Sequence, residues 1–133
     1  MLIIDIIFPW FITVTNTCKG TAHERKQIIT SPNYPEKYPA NTDCYWTIIA
    51  PMGMRLKIDS FSYQIEEYPL CHMDYLGIYE GANENNRIGE RICGQPGKQP
   101  SVVSQGNTLT LKFHSDPGTY KAGFKIRYNA IGK

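Results

Sequence analysis

The sequence lacks any long basic run, and over 133 residues its formal net charge is only +2. The electrostatic footprint of a nucleic-acid binder is therefore missing. Enzyme motifs are absent too: there is no HExxH, no GxSxG and no P-loop, hence no ready zinc pair, nucleophile elbow or phosphate cradle. Histidine is scarce, with His23, His72 and His114 in no metal-ligand spacing. His114, Ser115 and Asp116 are adjacent, but neighbouring residues of a strand point to opposite faces, so they cannot form a triad. No cysteine belongs to a CxxC pair, which argues against a thiolate zinc site. No N-x-S/T sequon with a permitted middle residue occurs. No segment reads as a helix and no internal repeat is present. The longest apolar stretch, residues 2–14, is interrupted by Asp5 and too short to span a bilayer.

What the chain does have is β-forming and turn-forming residues. It carries nine Tyr, 11 Gly and nine Pro, the composition of short strands joined by many turns. Its length suits one domain with a single core. Residues 107–115 alternate most cleanly, with Leu109, Leu111 and Phe113 against Thr110, Lys112 and His114. Residues 45–49, 55–61, 75–79 and 123–128 read as strands as well, and residues 26–30, 88–93 and 101–104 as shorter ones. Trp46 falls on an inward strand face and reads as core. Residues 31–44 carry three prolines, which forbid a helix and leave an extended, surface-hugging loop. The expected fold is all-β: a jelly-roll-like β-sandwich of two antiparallel sheets, with about ten short strands.

Four cysteines, Cys18, Cys44, Cys71 and Cys93, suggest two disulfides and an oxidising compartment. Sequence alone allows three pairings. A hairpin over residues 75–93 would bring Cys71 and Cys93 together, which favours that pair and leaves Cys18 to Cys44. Each bridge would close a loop of roughly 25 residues, stabilising by about 3–4 kcal/mol in the chain-entropy picture. Residues 1–17 read as a signal peptide or an upstream linker. Their apolar run fits a signal, whereas Asp5, Pro9 and the absence of a leading Lys or Arg do not.

The segment 61–79, FSYQIEEYPLCHMDYLGIY, concentrates the chemistry. Glu66 and Glu67 precede Cys71, and Asp74 sits at the entry to a strand. Such a loop is either a solvated turn or half of a hard-cation site, because calcium takes carboxylate oxygens from loops held at a rigid edge.

In chain order, Cys18, SPNYPEKYP, Cys44-Tyr45-Trp46, Pro51-Met52-Gly53, FSYQIEE, Cys71-His72-Met73-Asp74, Cys93-Gly94, LTLKFHSD, Gly123-Phe124 and Tyr128 resemble the CUB family over residues 18–129, leaving 130–133 as a tail. The resemblance implies a sandwich of two five-stranded sheets with sequential disulfides. It implies an extracellular, non-catalytic binding module, as found in complement-initiating proteases, tolloid-type metalloproteases, receptor ectodomains and seminal spermadhesins. It also implies a calcium site in which Glu66, Asp74 and Asp116 are the ligands. Tyr38 takes the place of the supporting tyrosine, and backbone carbonyls at Pro117, Gly118 and Thr119 complete the shell. In the family such a site grips one Lys or Arg of a partner protein; here His72, Tyr75 and Tyr120 would form its rim, with Lys121 nearby. The implied partner is an extracellular protein with an exposed Lys or Arg, and either a homodimer or a larger multidomain chain is compatible. A carbohydrate-binding secreted module and an accessory domain of a secreted protease are the alternatives.

Overall fold

A computed structural model describes residues 11–96, 101–118 and 121–132. Among them nine strands form: β1 (Thr13–Asn16), β2 (Ala22–His23), β3 (Ile28–Thr30), β4 (Thr42–Ile49), β5 (Arg55–Gln64), β6 (Tyr75–Glu80), β7 (Val102–Val103), β8 (Thr108–Ser115) and β9 (Gly123–Ile131). They make two antiparallel sheets, β1-β4-β8-β6 and β2-β3-β9-β5-β7. The sandwich of two sheets with two disulfides is as expected, although one sheet has four strands rather than five. Among the described residues no helix is long and apolar enough to cross a membrane.

Alternation builds the core. Cys44, Trp46 and Ile48 of β4, Leu109, Leu111 and Phe113 of β8, and Phe124, Ile126 and Tyr128 of β9 are all essentially unexposed. Trp46 meets Phe124 edge-on at 5.6 Å between centroids and donates its indole N–H to Thr21 Oγ1 at 2.9 Å, so its one polar atom is satisfied inside the sandwich. In β5 the register shifts between Ile58 and Ser60. This bulge re-phases the alternation, so Phe61 and Tyr63 still face inward.

Three local readings change. Residues 13–16 are not merely upstream chain: they form β1, paired with β4 from Thr13↔Ile49 to Asn16↔Trp46. Residues 88–93 do not form a continuous strand: Ile92 bridges to Leu76 of β6, and Arg87, just before the segment, bridges to Tyr79. Residues Pro69–Cys71 make one 3-10 turn. The disulfides are Cys18–Cys44 and Cys71–Cys93.

The proline-rich loop lies across one end of the sandwich. Ser31 exchanges hydrogen bonds with Phe124, its amide donating to the Phe124 carbonyl at 3.0 Å and its Oγ accepting from the Phe124 amide at 3.0 Å. The Tyr38 amide donates to the Lys121 carbonyl at 3.0 Å, and Ser115 Oγ donates to the Pro39 carbonyl at 2.7 Å. Gly123 permits this docking: its φ is +94°, and a Cβ there would stand 1.9 Å from Ser31 Oγ. Gly20 also has positive φ, at +78°, but open space around it. In urea unfolding, Gly123→Ala is expected to cost about 2–4 kcal/mol and Gly20→Ala only about 1 kcal/mol. Equal losses would mean that backbone conformation, not the close approach to Ser31, sets the requirement.

Candidate metal centre

Three strand ends assemble the site. Asp74 immediately precedes β6 and Asp116 immediately follows β8. Because β6 and β8 are paired with Tyr75 opposite His114, the two acids meet at one end of the four-stranded sheet. Glu66 arrives from the other sheet, two residues beyond β5. Its approach is fixed by paired backbone bonds between Ile65 and Gly94 at 2.9 and 2.8 Å. One carboxylate oxygen from each of Glu66, Asp74 and Asp116 can be chosen so that all three lie within 4.8 Å of one another.

Asp74 is fully buried, and Glu66 and Asp116 are half-buried. Asp74 Oδ2 accepts from the Tyr38 hydroxyl at 2.5 Å, and Oδ1 accepts from the Asp116 amide at 2.8 Å. The Tyr38 hydroxyl in turn accepts from the Glu66 amide at 3.1 Å. One buried phenol thus spans two of the three acids. Burial raises the Asp74 pKa; the bonds from Tyr38 and the Asp116 amide pull it down, the Asp116 carboxylate pushes it up, and the net shift is upward. Burial and the Asp74 contact also push the Tyr38 phenol well above its usual value, so it stays a donor.

Three converging carboxylates, one without access to water, repel each other while ionised. An all-oxygen, acid-rich set of this kind fits a hard divalent cation, which reverses the sign of the interaction. The 116–118 turn closes over it: the Gly118 amide donates to Asp116 Oδ1 at 2.9 Å. A Cβ on Gly118 would sit 3.0 Å from that oxygen and 3.5 Å from Glu66 Oε2.

The residues expected at the rim are not all brought to the surface. His72 and Lys121 are exposed, as are Pro117 and Gly118. Tyr75 is 5% exposed, its ring covered by the Arg91 guanidinium at 4.0 Å and flanked by His114 at 5.4 Å. Thr119 and Tyr120 lie outside the described residues. Two features escaped the sequence. Gln64, Glu66, Glu67, Gln95 and Lys121 line a cleft of about 510 Å³ beside the acids, created by the non-local Ile65–Gly94 pairing. Leu70 stands 79% exposed with φ of +58° in the loop between Glu66 and Asp74, a conformation that no pattern in the sequence signals.

A family model described as CUB domain matches residues 18–128. Human Tolloid-like protein 1 is 34% identical over 112 residues, covering 84% of this chain and 11% of that protein. Human Tumor necrosis factor-inducible gene 6 protein is 35% identical over 114 residues, covering 86% of this chain and 41% of that one. The chain therefore spans well under half the length of these curated relatives. Among solved structures, the MASP-1 CUB2 domain bound to Ca2+ is similar with a TM-score of 0.66 and 28% identity, over 84% of this chain and 99% of that one.

The raised Asp74 pKa has a definite sign in linkage. A folded state that holds the proton more tightly than the unfolded chain loses stability as pH rises from the ordinary value of 3.8 up through the raised one. In excess chelator, the free energy of unfolding of the native protein minus that of Asp74→Asn is expected to fall as pH rises through this window. Urea titrations at several pH values would measure it, and a flat difference would mean that burial does not perturb Asp74.

Proposed function

Because the chain belongs to the CUB domain family, we propose that it is an extracellular, non-catalytic protein-interaction module whose acidic end holds calcium and binds a Lys or Arg of a partner protein. The observation that carries this reading is the convergence of Glu66, Asp74 and Asp116 from three separate strand ends. Their carboxylates would hold the ion, with backbone carbonyls at Pro117, Gly118 and Thr119 in support. Calcium supplies positive charge that removes the mutual repulsion and ties the 66–74 and 116–118 loops together.

The chain's own groups do the rest. Tyr38 is a positioning residue: its hydroxyl orients Asp74 and caps the Glu66 amide. With the ion bound, the half-buried Glu66 and Asp116 would offer their remaining carboxylate lone pairs to a partner's ammonium or guanidinium through charge-assisted bonds. His72 and Tyr120 would make the rim of that contact, with Tyr75 beneath. CUB domains recur in multidomain extracellular proteins, some of them proteases, so the partner-binding role is proposed for this domain and not for a whole protein.

Extracellular calcium modules bind at about 10⁻⁴–10⁻³ M. At a hundredfold excess over the dissociation constant, linkage stabilises the fold by about 2.7 kcal/mol. Thermal unfolding of the oxidised protein in calcium and then in chelator is expected to show a midpoint rise of roughly 10 °C, lost in Asp116→Ala. No calcium-dependent rise would remove the site. A rise without calcium-dependent capture of any Lys- or Arg-bearing extracellular protein would leave the ion a purely structural role.

A further inference from the structure

The five-stranded sheet turns an unusual face to solvent. Its strands contain four basic residues, Arg55 and Lys57 on β5 and Lys125 and Arg127 on β9, and one acid, Asp59. Alternation puts all four cations outward. Lys125 and Arg127 are exposed while Phe124, Ile126 and Tyr128 between them are core, and Leu56 and Ile58 flank Lys57 in the same way. Register makes them one patch: Ser60 lies opposite Arg127, Ser62 opposite Lys125, and Lys57 opposite Asn129. On the other side of β9, Thr30 of β3 lies opposite Lys125. There His23, Lys26, Thr30, Tyr34 and Lys125 line a cleft of about 360 Å³, and His23 and Lys26 are exposed. The strands of the four-stranded sheet carry no such excess, with Asp43 and Glu80 against Lys112.

Most of this charge is not neutralised from within. Asp59 pairs with Arg127 at 3.5 Å and accepts from Asn129 at 2.6 Å. Among the described residues, Lys26, Arg55, Lys57 and Lys125 have no ion pair. Hydroxyls stand between the cations: Ser60, Ser62 and Thr30 on the strands, with the Tyr34 hydroxyl 3.5 Å from Ser62 Oγ.

We propose that this sheet face binds a sulfated polysaccharide of the glycosaminoglycan type, independently of the calcium end. The surface is broad, cationic and rich in hydroxyl donors, which suits a chain with sulfates along its length. Outward residues on one strand repeat at about 7 Å and neighbouring strands at about 4.8 Å, so a linear polyanion laid across β9 comes within reach of Lys125 and Arg127 on that strand, of Lys57 on β5 and of Lys26 in the turn before β3. Arginine offers a bidentate fork to oxyanions and lysine a point charge. A protein partner would need a buried aromatic or aliphatic anchor at the centre of its contact; the apolar side chains of this face, half-buried Ile28 opposite Arg127 and exposed Val103 on the edge strand β7, flank a centre of Lys57, Ser60, Ser62, Lys125 and Arg127 that is polar and charged. The extracellular setting of the family makes sulfated glycans, rather than nucleic acid, the available polyanion.

The test is heparin binding by the oxidised 133-residue protein in excess chelator, at about 0.1 M salt, by surface plasmon resonance. Heparin is expected to bind with an affinity that falls steeply as salt rises, and fully desulfated heparin is expected not to bind. The double variant Lys125→Glu/Arg127→Glu should weaken binding about tenfold or more, and Lys125→Gln/Arg127→Gln should lower the slope of log affinity against log salt by about 2. Unfolding midpoints within a few degrees of the native protein would show that the variants fold. No binding of heparin, binding that vanishes on chelation, or tighter binding of polyglutamate or phosphatidylserine vesicles than of heparin would each overturn the proposal.

Discussion

The hydroxyl of Tyr38 holds the acidic end of the molecule together. It is a buried phenol with two obligations, and both are met by the site: it donates to Asp74 at 2.5 Å and accepts from the Glu66 amide at 3.1 Å. Its ring packs edge-on to Phe113 at 5.0 Å, so the same side chain is anchored in the core of β8. Its amide is bonded to the Lys121 carbonyl. The residue therefore joins the proline-rich loop, the exit of β5, the entry of β6 and the entry of β9. A buried hydroxyl stripped of such partners would cost about 1–3 kcal/mol, so the position tolerates little besides a phenol. The loop that presents it can cross the sandwich end only because Gly123 leaves room for Ser31.

A net charge of +2 hides a marked segregation. Glu66, Glu67, Asp74 and Asp116 gather at one end, while Arg55, Lys57, Lys125 and Arg127 share the outer face of one sheet. The alternation of a strand is what makes such a division possible. Every inward position is committed to the core, so charge on β5 and β9 has one face available. The acidic end is a focus of converging loops, suited to a small ion and one cationic side chain. The basic face is flat and extended, suited to a long anion. The two surfaces make different demands on ligands, and neither depends on the other for its geometry.

Much of this was legible in the sequence, for physical reasons that also mark the limit. β8 and β9 are legible as strands because period-two burial leaves a direct trace in hydrophobicity, although Thr110 is buried between Leu109 and Leu111 and β9 runs on to Ile131, three residues past the expected 123–128. The acid trio was legible through the family resemblance, since Glu66, Asp74 and Asp116 are distant in sequence and only the fold joins them. β1 was obscured by its surroundings: it continues an apolar run that resembles a signal segment, and pairing with β4 is a non-local event. Tyr75 looked like a surface residue beside an acid. It is buried because Arg91 folds onto its ring, a contact that strand alternation does not encode. Leu70 and Cys71 adopt positive φ, a strain that the surrounding loop imposes and their residue types do not announce.

The Cys71–Cys93 bridge makes the acidic site and the sheet edge one unit. β6 is the last strand of its sheet, and an open edge invites pairing with other chains. Here residues 86–92 cover it, with the Ile92 amide donating to Leu76 at 2.9 Å, the Ile88 amide to Ile78 at 2.7 Å and the Glu80 amide to Asn86 at 2.9 Å. Tyr79 folds back over Gly77, where any Cβ would meet its hydroxyl at 2.7 Å. The covering segment returns to Cys93, which is bonded to Cys71 in the middle of the loop between Glu66 and Asp74. Next to Cys93, Gly94 pairs with Ile65, one residue before Glu66. The single Cys71–Cys93 bridge therefore tethers both the strap that closes the β6 edge and the loop that carries two of the three acids. Loosening it would release the edge and the acidic loop together, and a chain that depends on that bridge for this arrangement is suited to an oxidising compartment.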